Sequence, residues 1–327
     1  MESNMEGILS YIGNAKTVGI AGHINPDGDC VGSCLAVYNY LRQQRGDLDV
    51  HVFLNPIPTI FSFLTNAASI EQANEEDTNR SFDLFIVLDC GDTSRLGPAS
   101  TYFRNAKHTI CVDHHLGKHE FAEQNFVDSD ASSTCELVFD LMDKSLITKE
   151  VAECIYTGMV TDTGVFQYSC THSSTMQAAG FLMDLGIDYP RIVERVFFEK
   201  TFNQNRVLGQ ALLNARQYLD GSCIASVITQ KEMAQYDVLP KHMEGIVSQL
   251  RATRGVEVAI FLYQVETGGY KVSLRSSDLV NVAEIATAYG GGGHAKAAGC
   301  GIMGDPWAAI DTIVKKVKLQ LKETNKD

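Results

Sequence analysis

Short apolar runs that stop at acids and histidines constrain this chain more than any other feature. Thr17–Ala21 runs into His23-Ile24-Asn25-Pro26-Asp27-Gly28-Asp29. Leu84–Leu88 ends in Asp89-Cys90-Gly91-Asp92, and Thr109–Val112 ends in Asp113-His114-His115. Val50–Leu54 is a fourth run of the same kind. Runs of four or five apolar residues read as buried strands, while Val31 to Leu41 repeats apolar residues at helical spacing. Strands that recur between helices form βαβ units, so a mostly parallel sheet flanked by helices is expected. Ser132-Ser133-Thr134 followed by Glu136 reads as a helix cap before Leu137–Met142. Helical patterns dominate from about Lys149 to Ala215.

The pattern then changes. Tyr218–Leu219 and Ile224–Ile228 flank Asp220-Gly221, and Val256–Val265 and Tyr270–Leu274 flank Thr267-Gly268-Gly269; both are hairpin signals. Helical stretches follow at Met243–Leu250 and Trp307–Leu321. With 327 residues and roughly 100–200 per domain, two domains fit. The expected fold class is α/β: a parallel-sheet domain over 1–186, a helical connector over 187–205, and a smaller α+β domain over 206–327.

Charge narrows the ligand. The formal net charge is −13, from 27 basic and 40 acidic residues. It averages two unlike parts: residues 1–190 carry 10 basic and 26 acidic side chains, residues 191–327 carry 17 and 14. The balance argues against a broad basic surface for long nucleic acid, but not against a short phosphorylated ligand. No apolar run approaches the ~18 residues that span a bilayer. The N-terminal stretch lacks the basic start and apolar core of a signal peptide. Nine cysteines without a C-x-x-C pair fit free thiols, so a cytoplasmic location is expected.

In open parallel sheets, ligands bind outside the carboxyl ends of the strands. That edge collects His23, Asp27 and Asp29, then Asp89, then Asp113-His114-His115, and the helix from Lys149 arrives at Thr161-Asp162-Thr163-Gly164. A single aspartate at such a position is more often a helix cap or turn former. Four clusters at one edge favour a metal site. Carboxylate and imidazole ligands without cysteine suit Mn²⁺ or Mg²⁺ and argue against structural zinc. A bridged pair of metals needs about this many ligands.

H-x-x-x-D-x-D, a lone Asp after the next long apolar strand, D-H-H and a later D-T-G resemble the four motifs of the DHH phosphoesterases. Gly290-Gly291-Gly292-Gly293-His294, continuing to Ala297-Ala298-Gly299, resembles the substrate-binding signature of their DHHA1 companion domain. The resemblance covers nearly the whole chain. It implies that His23 and Asp27 hold one metal, that Asp29, His114 and Asp162 hold the other, and that Asp89 bridges them. Asp113 would orient the His114 ring, and His115 would face the substrate phosphate. Gly291, Gly292, Gly293, His294 and Arg275 would bind substrate. The cofactors implied are two divalent cations, Mn²⁺ first, with Mg²⁺ or Co²⁺ as alternatives.

The activity implied is hydrolysis of phosphate esters in short oligoribonucleotides or 3′-phosphoadenosine 5′-phosphate (pAp), in a cleft between the two domains. A cyclic-dinucleotide phosphodiesterase, a pyrophosphatase or exopolyphosphatase, and a non-catalytic nucleotide sensor are the alternatives. No long nucleic acid and no membrane partner is expected; a homodimer is left open. His51, His108, His119, His172 and His242 read as surface or core-edge histidines, and Cys30, Cys90 and Cys111 as small apolar neighbours of the site. Arg95 divides evenly between reaching substrate and pairing with Asp92. Lys315-Lys316-Val317-Lys318 reads as a solvated helix face.

Overall fold

A computed structural model describes residues 8–115 and 121–324. The chain forms two compact units, Met1–Glu199 and Lys200–Asp327. The first contains a six-stranded, all-parallel sheet: β1 (Thr17–Ala21), β2 (Asp49–Phe53), β3 (Ile70–Glu71), β4 (Leu84–Leu88), β5 (His108–Asp113) and β6 (Gln124–Val127). The spatial order is β3-β2-β1-β4-β5-β6. The chain therefore winds outward from β1 to one edge, returns, and winds from β4 to the other. The crevice at such a reversal, here between β1 and β4, is where an open α/β sheet binds its ligand.

Burial explains which strands the apolar runs announce. Every residue of β4, Leu-Phe-Ile-Val-Leu, is buried because helices cover both faces of the sheet centre. The edge strands β3 and β6 have no such run. β3 is two residues long, and β6 (Gln-Asn-Phe-Val) is half-exposed or exposed throughout.

Two helices bring the ends of the sheet to the site. The Gly28–Gln44 helix is buried continuously from Gly28 to Leu41. It packs on the Lys149–Asp162 helix through glycines. A Cβ on Gly32 would lie 2.6 Å from the Cys154 carbonyl oxygen, and one on Gly158 would lie 2.2 Å from Cys135 Sγ and 2.8 Å from Asp29 Oδ1. Missing side chains thus let the N-terminus of one helix and the C-terminus of the other reach the same point.

The second unit is a mixed sheet in the order β11-β12-β10-β9-β8-β7. Its strands are β7 (Arg216–Tyr218), β8 (Cys223–Ile228), β9 (Val258–Gln264), β10 (Tyr270–Ser276), β11 (Gly292–His294) and β12 (Ala297–Ile302). β8 and β9 pair parallel; the other neighbours are antiparallel. Alternate residues of β9 feed two cores. Val258, Ile260 and Leu262 pack with Ile310, Ile313 and Val317 of the Pro306–Thr324 helix. Ala259, Phe261 and Tyr263 pack with Val207, Ala211, Ile246 and Leu250. This is the two-residue period of a strand covered on both faces.

The expected helix over Met243–Leu250 begins instead at Ile246, because Gly245 adopts a left-handed φ of 81° that separates it from the Pro240–Met243 turn. All nine cysteines are free thiols. Among the described residues, no helix is long and apolar enough to cross a membrane.

Candidate metal centre

The site is built from strand ends and one helix end. β1 ends at Ala21 and leads to His23, which is 4 % exposed; β4 ends at Leu88 and leads to Asp89, which is 1 % exposed. Asp89 takes a left-handed φ of 55°. That conformation is uncommon outside glycine and best tolerated by Asp or Asn. It turns the carboxylate across the sheet edge, while the Asp89 N–H still donates to the Val112 carbonyl at 3.0 Å.

The two imidazoles face this one carboxylate from different strands. His23 Nε2 lies 3.5 Å from Asp89 Oδ2, and His114 Nε2 lies 3.7 Å from Asp89 Oδ1. His114 Nε2 is also 3.8 Å from Asp29 Oδ2 and 3.3 Å from Asp162 Oδ2. Such separations exceed a good hydrogen bond, whose N···O distance is about 2.7–3.2 Å. They suit donors converging on a common cation at about 2.1 Å from each. The backbone supplies what keeps both rings aimed. His23 Nδ1 lies 2.9 Å from the Ile24 carbonyl and His114 Nδ1 3.4 Å from the Ala131 carbonyl. Each contact favours the tautomer that leaves Nε2 free as a ligand.

Asp29 is held by the start of another helix. The Thr134 N–H donates to its Oδ2 at 2.7 Å and the Cys135 N–H to its Oδ1 at 2.9 Å, both at the N-terminus of the Thr134–Asp140 helix. The Thr134 hydroxyl donates to Asp89 Oδ1 at 3.2 Å. Sequence reasoning saw a helix cap in Ser132-Ser133-Thr134 and missed this second task. Ser133 is indeed the cap, accepting from the Glu136 N–H. No local pattern joins Thr134 to an aspartate 105 residues away.

Electrostatics make the cluster receptive to a cation. Burial raises the pKa of Asp29 well above the ordinary carboxylate value, and the neighbouring charges of Asp89, Asp162 and Asp27 raise it further. Burial likewise pushes Asp162 up to about 6. For His23, burial opposes the charged ring, but the carboxylates of Asp27 and Asp89 overcome it and raise its pKa to about 11. Buried like charges are costly unless a positive charge compensates them. The donor chemistry here, carboxylate oxygens and Nε2 atoms, fits a hard or borderline divalent ion. Among the described residues, Asp89 with His114 and His115, and Asp29 with His114 and Asp162, form groups able to hold a metal ion; a third joins His23 and Asp89 with Cys30. Burial pushes the Cys30 thiol well above its usual value, so it stays protonated and is a poor ligand.

Asp27 sits at the rim and is exposed. Its Oδ1 caps the Gly28–Gln44 helix, accepting from the Asp29 and Cys30 N–H groups at 3.1 Å each. It also lies 3.8 Å from His23 Nε2. The cap reading and the ligand reading therefore converge on the same oxygen.

Family models match both units: the DHH family, N-terminal domain, over residues 17–159, and the DHHA1 domain over residues 220–323. The chain belongs to the DHH family. It is 28 % identical over 307 residues to a bifunctional oligoribonuclease and PAP phosphatase of Thermus thermophilus, covering 92 % of this chain and 89 % of that protein. It is 27 % identical over 325 residues to the protein of the same name in Bacillus subtilis, covering 97 % and 98 %. The solved structure of an exopolyphosphatase-related protein from Bacteroides fragilis aligns with a TM-score of 0.85 at 28 % identity, covering 96 % of this chain and 94 % of that one.

In the DHH triplet itself, the structure corrects one expected role. Asp113 Oδ1 lies 2.8 Å from His115 Nδ1 and accepts from the His114 backbone N–H at 2.9 Å. The fully buried Asp113 thus aligns the His115 ring, whereas the His114 ring turns to Ala131. The hydrogen bond to Asp113 comes first among the influences that raise the His115 pKa. Arg95 does not pair with Asp92, whose side chain caps the next turn by accepting from the Ser94 N–H at 2.7 Å. Its guanidinium has no hydrogen-bond or ion-pair partner among the described residues, and its charge reaches both His115 and Cys90.

In the DHHA1 unit, the glycine run is only partly a loop. The Gly290 and Gly291 N–H groups donate to the carbonyls of Thr287 and Ala286 at the end of the Val282–Thr287 helix, both at 3.0 Å. Gly291 therefore contributes close approach and not a free donor: a Cβ there would lie 2.1 Å from the Gly299 carbonyl oxygen. Gly292, Gly293 and His294 form the edge strand β11. His294 pairs with Ala297, and Ala297 pairs with Arg275 on β10. Directly paired residues share a sheet face, so Arg275 and His294 stand in one row. His51 pairs with Glu71, His108 with Glu123, and His242 accepts from the Leu239 N–H, so these three serve local contacts. His119 lies outside the described residues.

Proposed function

We propose that this DHH-family hydrolase of phosphoester bonds acts on pAp and short oligoribonucleotides, with two divalent cations, Mn²⁺ first. The observation that carries the two-cation reading is Asp89: its Oδ2 faces His23 and its Oδ1 faces His114, at 3.5 and 3.7 Å. A carboxylate turned toward two imidazoles from separate strands suits a ligand shared between two ions. His23, Asp27 and Asp89 would hold one, and Asp29, Asp89, His114 and Asp162 the other. Such ions lower the pKa of bound water and draw charge from the phosphoryl oxygens.

The chain's own residues do the rest. Thr134 and Cys135 aim Asp29 by donating their N–H groups to its two oxygens, and a bound cation would offset the burial that raises its pKa. Asp113 holds His115 with Nδ1 toward its carboxylate and favours the protonated ring, which makes Nε2 a donor to a phosphate oxygen or to the departing alcohol. Arg95 adds a guanidinium beside His115. In the second unit, Arg275 and His294 offer cationic or donor groups from one row, suited to a second phosphate. The preference for pAp and short oligoribonucleotides is supported by the names of the two curated relatives.

The test is a panel of pAp, a diribonucleotide, cyclic di-AMP and pyrophosphate, each with Mn²⁺. The expected order places kcat/KM for pAp and the diribonucleotide above the other two. Preference for pyrophosphate would overturn the nucleotide assignment. Tight binding of pAp without any product would make the protein a sensor.

A further inference from the structure

Directly after Asp162 the backbone adopts a conformation that holding Asp162 does not require. Gly164, Val165 and Phe166 take φ values of 56°, 59° and 62°, three consecutive residues in the left-handed region. For β-branched Val165 this is an outlier, and such strain persists only where surrounding contacts enforce it. The contacts are present. The Val165 N–H donates to the Val160 carbonyl at 2.8 Å, and the Phe166 N–H donates to the Thr163 hydroxyl at 3.0 Å. The Thr163 carbonyl accepts from both the Gln167 and Tyr168 N–H groups, at 2.9 and 3.0 Å.

The turn sends successive aromatics in opposite directions. Phe166 meets Tyr156 edge-on at 6.0 Å between ring centroids, at the margin of the core. Tyr168 is 60 % exposed. Among the described residues its hydroxyl has no hydrogen-bond partner and its ring no aromatic neighbour. The phenol end of the ring lies on Gly164: a Cβ there would meet Cζ, Cε1 and Cε2 at 2.4 to 2.7 Å. A flat apolar ring is thus held in solvent, six residues beyond Asp162, with a glycine cut away beneath it.

We propose that Tyr168 is a stacking platform for a nucleobase, so that this site selects nucleotides over bare phosphate chains. The proposal rests on the hydrolase reading above and names its substrate class. Bases of any identity present a π-face, and loss of one aromatic platform typically costs about 5- to 150-fold in affinity per base. The competing role is mere shielding of the turn, which would affect every substrate alike.

The deciding experiment compares wild type with Tyr168→Ala and Tyr168→Trp in the full chain with Mn²⁺. KM and kcat for pAp are measured beside the inhibition constant of its base-free counterpart, ribose 3,5-bisphosphate. Tyr168→Ala is expected to raise KM for pAp by about 5- to 150-fold, leaving kcat and the base-free inhibition constant within about twofold. Tyr168→Trp, which keeps a flat ring, should retain the wild-type KM. An unchanged KM, an equal weakening of both ligands, or a Trp variant as poor as Ala overturns the platform. Absence of turnover in wild type would strike the hydrolase reading instead; dissociation constants for the same two ligands, measured by calorimetry on the three proteins, then decide the platform.

Discussion

Asp89 is the residue on which most of the centre turns. Asp89→Ala removes the only carboxylate among the described residues that faces both His23 and His114, and turnover of pAp should fall by about 10³-fold or more. Steady-state kinetics across a Mn²⁺ titration check this, and recovery at high Mn²⁺ would contradict the shared-ligand role. Arg275→Ala tests the other unit: KM should rise about 10-fold with little change in kcat, as expected for lost phosphate binding shared by ground and transition states. That the acids and histidines of the centre come together was legible in the sequence, because His23, Asp89 and His114 each follow an apolar run that marks a strand end and because carboxylates and imidazoles are the usual donors for a divalent ion. Thr134 and the Ala131 carbonyl were not legible. One acts through an N–H and a hydroxyl common to many helix starts, the other through a carbonyl that every residue has.

At the scale of elements, the Thr134–Asp140 helix is held by a buried carboxylate that no ligand requires. Glu136 Oε2 accepts from the Ser132 hydroxyl at 2.5 Å and from the Thr175 hydroxyl at 2.8 Å, the latter joining the Ser173–Asp184 helix. Burial alone would raise the Glu136 pKa, but the hydroxyl and N–H donors outweigh it and hold it below the ordinary 4.5. A depressed folded value means that the ionised group stabilises the fold above the ordinary pKa, and that this contribution is lost as pH falls through the folded value. Glu136→Gln should therefore cost about 1–3 kcal/mol near neutrality and lose less than wild type on acidification below pH 4.5. Urea denaturation at pH 7 and pH 4 distinguishes the two proteins. Gly158→Ala should also cost about 1–3 kcal/mol by overpacking, since its Cβ would press on Cys135 Sγ and Asp29 Oδ1; thermal melts read the loss. Most elements could be read from apolar period alone. β3, β6 and β11 could not, because edge strands gain little burial and a glycine run has no side chains to alternate.

Over the whole molecule, the acidic surplus gathers in residues 1–190, and part of it is the proposed ligand set, whose mutual repulsion destabilises the fold unless a cation compensates it. Cations that bind only the folded chain add about 2.7 kcal/mol at a free concentration one hundred times the Kd. Mn²⁺ should accordingly raise the melting temperature of wild type by several degrees, reversibly on chelation. In Asp29→Asn the shift should shrink, because a charged oxygen donor is gone, and the melting temperature without metal should fall, because an amide can accept from only one of the Thr134 and Cys135 N–H groups. Calorimetric scans with Mn²⁺ and with EDTA provide the check.

The reversal of strand order between β1 and β4 also has a kinetic meaning. The residues gathered there run from His23 to Asp162, and the hydrogen bonds that seat Asp29 close over a separation of 105 residues. Pairing β1 with β4 while Thr134 docks on Asp29 demands long loop closures, the slow step in any topology of high contact order. No shorter stretch of chain can assemble the complete set. During synthesis the proposed centre stays incomplete until about half the protein has emerged, so cation binding there would follow the pairing of β1, β4 and β5. A bound ion would then report that these three strands and the Gly28–Gln44 and Lys149–Asp162 helices have come together.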